Sequence, residues 1–503
     1  MSKSSSSKLS DLINSLSKSE KRYFNIYASK HVIGKNNKYV KLFDLISLQK
    51  PYNEKELNDK LRLKNEKQLS DLKLYLYELI LRSLREYNTN KSIEIEIYQK
   101  QIDVQVLFNK GLFNQCSTLI ESIKSIAGEL EKFDTMIAFN DINLQILRKQ
   151  NDYLLIEKQV IEQQLWIKKL ENHNQYELLL RKAMNIHSKF GVPRNDKELK
   201  KYTFLYSEVS QLNDPLSIRA QNILFNIFAF YYLLSCNVSK HYEFNKKRLN
   251  LMHKHPSIFD AEPYRKVNIL NSYIDSSLTT RKYSNAIEGI TQLQNLNMGN
   301  DSLSNYKQYF YYYSKLNYII TTCQFNELPV LLENIQKWIN DNRSVYLRYQ
   351  NVNLARLCSY AFFISGNLNK AIGYIKLLFD KDKLDEDEEC LCRLMYIIYR
   401  FESKEYDWLH YLLRSLYRFL LKKEKLYELE KLILHFIRKA IDEYSQGELV
   451  EKFKFFKSKL LLLENNPFEK ARLYKFDFIA WFDSKIEDKP LTIILSKQFN
   501  AHK

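Results

Sequence analysis

Glycine and proline are scarce. Nine glycines and eight prolines among 503 residues come to about 3%, against an average usage near 12%. Sheets joined by tight hairpins need many such residues at their turns, so strand-rich folds are excluded and long helices with short polar connections are expected. Long apolar runs are lacking as well. The longest, Ile223 to Cys236, is 14 residues with Asn226 inside it, short of the ~20 needed to cross a bilayer. A buried helix accounts for it better. Met1 to Ser10 is Ser/Lys-rich and has none of the apolar stretch of a secretory signal. The six cysteines, Cys116, Cys236, Cys323, Cys358, Cys390 and Cys392, show no framework spacing and sit mostly in apolar stripes, as reduced core thiols do. A cytoplasmic chain with no membrane partner is the expectation.

Signatures of catalysis are equally missing. There is no glycine loop to cradle phosphate, no HExxH and no nucleophile elbow. Cys390 with Cys392 and His253 with His255 supply two ligands each, with no second pair at zinc spacing. The acidic stretch from Asp380 to Glu389 lacks the turn glycine of a calcium loop and ends on Leu391 where glutamate is required. Its later acids suit a helix N-terminus instead. No catalytic residue, cofactor or metal is therefore expected.

What is present begins with charge. The net charge of +18 is unevenly placed: residues 1 to 92 carry +9, residues 93 to 403 carry +4 and residues 404 to 503 carry +5. Such an excess attracts polyanions without regard to fold, or simply solvates a surface.

A pattern then recurs along the chain. From Ala355 to Leu378 the sequence reads ARLCSYAFFISGNLNKAIGYIKLL, a helix, a turn at Gly366 and a second helix with Leu368, Ala371, Ile375 and Leu378 at helical spacing. The same offsets occur at Gly111 (Phe113, Cys116, Ile120, Ile123), Arg281 (Tyr283, Ala286, Ile290, Leu293), Cys323 (Phe325, Leu328, Leu332, Ile335) and Lys404 (Tyr406, Leu409, Leu413, Leu416). Weaker turns are read at Asn151, Gly191, Ser239 and Gly447, and the series gives a mean spacing of about 42 residues. A small residue lets two helices approach, and the apolar ones close the contact with the next pair. An irregular helical bundle without repeat symmetry is the alternative.

This template resembles that of tetratricopeptide repeats, in which a glycine ends the first helix and an aromatic or leucine, a small residue and apolar positions follow. The layout from LSKSEKRYF at Leu16 to Phe24, through KLYLYELILRSLREY at Lys73 to Tyr87, to AWFDSK at Ala480 to Lys485 is similar to a group of uncharacterised bacterial tetratricopeptide-repeat-like (TPR-like) helical proteins, over nearly the whole chain. The resemblance implies an all-α fold, a right-handed α-solenoid of antiparallel helix hairpins, and brings no established activity. The period of about 42 exceeds the 34 usual for such repeats, so helices of roughly 15 to 20 residues are expected.

The expected divisions are a disordered Ser/Lys tail at 1–9, an N-terminal helical module at 10–90, the solenoid at 91–463 and C-terminal capping helices at 464–503, since exposed solenoid ends need caps. Ser17 with Glu20 and Asn53 with Glu56 have the spacing of capping boxes. Asn466-Pro467 starts a helix with proline first, and Trp481 seals the last hairpin.

Two stretches are candidates for binding. Tyr39 to Leu48, Glu54 to Leu61 and Lys67 onward have helix-turn-helix spacing, and Lys55, Lys60, Arg62, Lys64 and Lys67 are candidates for nucleic-acid contact. Packing or docking is the other reading of that module. The first helices of the hairpins are aromatic, with Tyr309 to Tyr313 an unbroken run. Five adjacent aromatics cannot share one helix face, so at least two are expected exposed or at a groove. The resemblance puts first helices along a concave groove, which makes Tyr231, Tyr309, Tyr312 and Tyr313 candidates for partner contact, unless tyrosine serves there as packing. The function that follows is a non-catalytic scaffold or adaptor holding a peptide or protein partner in the groove. The alternative is a transcriptional regulator touching nucleic acid through the N-terminal module, with the solenoid as sensor.

Overall fold

Helices answer the scarcity of turn residues. The computed structural model describes residues 4–30, 38–49, 52–63, 65–88, 93–299, 301–342, 352–379, 384–441 and 446–501, and among them no strand is formed. The longer helices run in order α1 Ser4–Ser15, α2 Lys18–Lys30, α3 Lys38–Leu48, α4 Glu54–Leu61, α5 Glu66–Asn88, α6 Ile93–Asn109, α7 Phe113–Glu129, α8 Phe133–Gln150 and α9 Tyr153–Phe190. After two short helices, α10 Asp196–Leu199 and α11 Phe204–Val209, come α12 Ile218–Leu234, α13 Val238–Lys254, α14 Pro256–Asp260, α15 Pro263–Thr279, α16 Tyr283–Asn295, α17 Asp301–Thr321 and α18 Leu328–Asp341. The chain closes with α19 Val352–Ile364, α20 Leu368–Phe379, α21 Glu386–Glu402, α22 Leu409–Lys422, α23 Glu428–Ile441, α24 Gln446–Leu462, α25 Pro467–Phe476, α26 Phe478–Ile486 and α27 Leu491–Ala501. Two compact units result, one of Met1–Ile126 and Ala138–Ile156, the other of Ala127–Ile137 and Glu157–Lys503. No helix among the described residues is long and apolar enough to cross a membrane.

In the first unit α2 and α3 pack on α5, and α4 packs on α3, around Phe24, Phe43, Leu57, Leu76 and Ile80. Helix α2 begins with a reciprocal capping box, the Glu20 N–H on Ser17 Oγ (3.2 Å) and the Ser17 N–H on Glu20 Oε2 (2.8 Å). Asn53 caps α4 by accepting from the Lys55 and Glu56 N–H groups, but Glu56 does not reciprocate. It pairs instead with Lys60 at 2.5 Å and Gln49 at 3.0 Å. Helix α1 starts at Ser4 and buries Leu9, so helix reaches into the stretch expected to be a tail.

The second unit is a succession of helix pairs packed side by side: α12 with α13, α15 with α16, α17 with α18, α19 with α20, α21 with α22, and α23 with α24, each pair also touching its neighbour. In the five stronger matches the small position and the two apolar positions after it are all buried: Ala286, Ile290, Leu293, Leu328, Leu332, Ile335, Ala371, Ile375, Leu378, Leu409, Leu413 and Leu416, and, in the first unit, Cys116, Ile120 and Ile123. Each buried leucine or isoleucine contributes roughly 1.5–3 kcal/mol by leaving water. One close approach demands glycine, since a Cβ on Gly289 would lie 2.8 Å from Ile274 Cγ1, and this brings α15 and α16 together.

The turns share one backbone device. A residue with positive φ stands at Gly111, Glu131, Asn151, Cys236, Arg281, Cys323, Gly366, Lys404 and Glu424. In each case the next N–H returns to the carbonyl five residues before it, as in Leu112 to Leu107, Asn237 to Tyr232 and Asn367 to Phe362. This is the Schellman closure. It lies at Cys236 rather than at Ser239, because Asn237 caps α13 by accepting from the Lys240 N–H. Gly447 is no turn and lies within α24. Gly191 ends α9, which runs 38 residues, and no second helix of a pair follows it.

Candidate functional site

Beyond Gly191 the chain leaves α9 as a non-helical segment, residues 191–195, and this segment docks on helices more than 190 residues away in sequence. Gly191 has φ +73 and approaches α21 so closely that a Cβ would fall 2.4 Å from Asp385 Oδ1 and 2.5 Å from Asp387 Cβ. Pro193 and Arg194 are buried. The Arg194 guanidinium is 3% exposed and meets three carboxylates from three helices. It donates twice to Glu430 (2.8 and 3.2 Å) and once to Glu469 (2.8 Å), lies 3.6 Å from Asp387, and stacks on Tyr427 at 4.6 Å. Asn195 caps α10 by accepting from the Glu198 N–H, and the Glu198 carboxylate accepts from the Arg194 N–H (2.9 Å), Lys425 (3.0 Å) and the Tyr427 hydroxyl.

The charges continue across the neighbouring helices. Arg472 on α25 donates to the Asp387 carboxylate (3.0 Å) and backbone carbonyl (2.8 Å). Lys475 holds Glu388 at 2.7 Å, and Arg356 on α19 reaches the same carboxylate at 3.1 Å. Five carboxylates (Glu198, Asp387, Glu388, Glu430, Glu469) thus face five cations (Arg194, Arg356, Lys425, Arg472, Lys475). Burial opposes the Glu388 charge, but Lys475, Arg356 and Arg472 overcome it and hold the carboxyl well below the usual carboxylate range. Asp387 is likewise held low against its burial, by Arg472, Lys475 and Arg194. Burial also works against Arg194, and Glu430, Asp387 and Glu469 more than offset it. A buried charge is tolerated only when it is matched in this way.

Past Arg356 the face turns from paired charge to a lone carboxylate. Asp275 on α15 accepts from Asn317 (3.3 Å), Asn271 (3.4 Å) and the Tyr313 hydroxyl, and Ser314 bonds Asn271 at 3.2 Å. Burial pushes Asp275 up to about 7, those bonds opposing it. Its folded pKa therefore exceeds its unfolded one, so its contribution to stability is complete below about pH 4 and is lost as pH rises through 7. Three units convert to about 4 kcal/mol, which water around a half-buried side chain reduces to about 2. Asp275→Asn is expected to remove a loss of that size between pH 4 and pH 8, read as urea midpoints at the two values. An unchanged pH slope in the variant refutes it.

The tyrosines named from sequence are dispersed. Tyr309 is buried in the core. Tyr312 is half-buried with its ring 5.7 Å from Trp338, and Tyr231 is half-buried between Tyr206 and Tyr232. Only Tyr313 joins the polar cluster. None of residues 309–313 is exposed, because α17 is packed by α15, α16, α18 and α19 together. In the first unit Lys55, Lys60, Arg62 and Lys67 are exposed, and Lys64 lies outside the described residues. Lys60 pairs with Glu56, while Glu54 holds Lys73 at 2.6 Å, so the basic residues are interleaved with acids. Cys390 and Cys392 are buried on α21, and His253 Nε2 lies 3.0 Å from the Gln292 side-chain oxygen. Among the described residues no group of three or more His, Cys, Asp or Glu side chains is placed to hold a metal ion.

Arg194, Glu430 and Glu469 were not marked by sequence reasoning, and only their position points to them: Glu430 and Glu469 stand where their helices turn inward, beside Leu429 and Phe468. Asp387 and Glu388 were read only as helix N-terminal acids, which they also are. No protein-family model, no curated protein and no solved structure matches this chain, so its function has to be read from the charged face and the segment docked on it.

Proposed function

We propose that the second unit is a non-catalytic binding scaffold of the cytoplasm, a right-handed TPR-like solenoid repeating about every 42 residues, which holds an extended peptide of a protein partner along its first helices. The observation that supports this reading is the segment at residues 191–195: this helix array already seats one non-helical stretch of polypeptide, anchored by an arginine among carboxylates and an aromatic ring. Arginine and tyrosine are enriched among the residues that carry most of the binding energy at protein interfaces. The partner is taken to lie beside that segment, over Asp275 and Tyr313, where an unpaired carboxylate within reach of a tyrosine hydroxyl suits a basic or amide side chain. Capture from native lysate with wild type and with Asp275→Arg tests it. A polypeptide retained by wild type and lost from the variant is the expected result. A captured set indifferent to the variant, or salt-sensitive retention of nucleic acid that disappears without residues 1–92, overturns it.

A further inference from the structure

Arg248 on α13 is a buried cation without a carboxylate. It is 4% exposed, and its bonds run to neutral amides: Nε to Asn222 Oδ1 (3.5 Å) and Nη1 to Asn245 Oδ1 (3.1 Å). The amides are themselves fixed. Asn245 Nδ2 donates to His241 Nε2 (3.2 Å), and His241 Nδ1, 2.8 Å from the Ala229 carbonyl, carries the proton. With every acceptor in this ladder used, Nη2 faces no acceptor among the described residues. The guanidinium is therefore oriented by neutral groups, with Nη2 left for a further acceptor. Burial depresses its pKa, and the Arg265 charge adds to that.

The surroundings are cationic too. Arg219 on α12 and Arg265 on α15 share the one carboxylate of Glu262, and both act on His173 of α9, whose Nδ1 is buried without a partner. Glu177 pairs with Arg181 at 2.7 Å and also acts on Arg265, and the Glu131 carboxylate accepts from the Ile218 and Arg219 backbone N–H groups. Among these guanidiniums Arg248 is the one that no carboxylate meets among the described residues, so its positive charge is left unmatched. Buried charge of this kind is matched by a counter-ion or stays costly, and planar N–H forks suit tetrahedral oxyanions. We propose that Arg248, Arg265 and Arg219, with His173, form a binding site for a phosphate-type anion, free or as a phosphomonoester. This site does not depend on the peptide-binding reading, since none of its residues touches the Arg194 cluster or Asp275.

The test is thermal unfolding of the full chain with inorganic phosphate, and separately with a nucleoside monophosphate, titrated against chloride at constant ionic strength. Wild type is expected to show a saturable rise in Tm with phosphate. Saturation by phosphate alone assigns the free anion, and saturation by both assigns the monoester. Arg248→Met removes the saturable rise. Arg265→Gln, at the less buried rim, weakens the apparent affinity by about tenfold and decides the matter should Arg248→Met not fold. A wild-type Tm that never saturates with either anion, or an unchanged midpoint in Arg265→Gln, overturns the proposal.

Discussion

Replacing Arg194 with methionine is expected to lower the stability of the second unit by about 3–5 kcal/mol, the cost of stripping one partner from a buried ionic group. The five-against-five balance becomes five carboxylates against four cations, and the deficit falls on Glu430 and Glu469, which are buried and cannot turn to water. Arg472 cannot take both, since it is committed to Asp387 and lies 3.7 Å from Glu430. The loss is expected to depend on pH. Burial already raises Glu469, with Arg194 restraining it. Without that guanidinium its folded pKa moves further above the unfolded one, so stability is retained at low pH and lost as pH rises. The gap between wild type and variant therefore widens from pH 5 to pH 8 in urea unfolding, and Arg194→Met with Glu469→Gln recovers part of it. A loss below about 1 kcal/mol at both pH values would show that the cluster is a solvated surface network, which is worth little.

Trp481→Ala is the second large effect, at about 3–5 kcal/mol. Trp481 is 1% exposed, and its ring lies among Phe401, Phe436, Phe453, Phe476 and Phe482, at centroid distances of 5.1 to 6.4 Å. No neighbour is small enough to collapse into the space. The indole N–H donates to Glu402 at 2.7 Å, a carboxylate otherwise held by Lys485. Trp481→Phe keeps most of the ring and forfeits the bond, so a loss of about 1–2 kcal/mol is expected. Chemical unfolding of the three proteins side by side checks both figures, and equal losses for alanine and phenylalanine would refute the packing argument.

Local features were the legible ones. The capping box at Ser17, the amide cap with proline at Asn466 and the buried apolar triplets all follow from residues within one or two helical turns of each other. Of the two turns not read from the sequence, at Glu131 and Glu424, the first puts Asn140 and Asn143 where the template wants apolar residues, whereas the second is followed by Leu426, Leu429, Ile433 and Phe436 at the template offsets and carried the same signal as Lys404. The three-residue error at Ser239 concealed more. Counted from Cys236, the positions assigned as small and apolar are His241, Asn245 and Arg248, so the correct register would have shown three polar residues where a core was due. The Arg194 cluster lies beyond local reasoning altogether, since its partners stand 236 and 275 residues away and each acid reads by itself as an ordinary helix residue.

The docked segment also sets the order in which the unit is made. Helix pairs closed by three-residue turns form from neighbours as the chain emerges, but Arg194 has no Glu469 until 275 further residues exist, tens of seconds later at usual rates of synthesis. Stacks held only by adjacent contacts can fray from either end. A fastening between the early and late parts of the unit ties their melting together, so that the last step of assembly is also what makes unfolding cooperative.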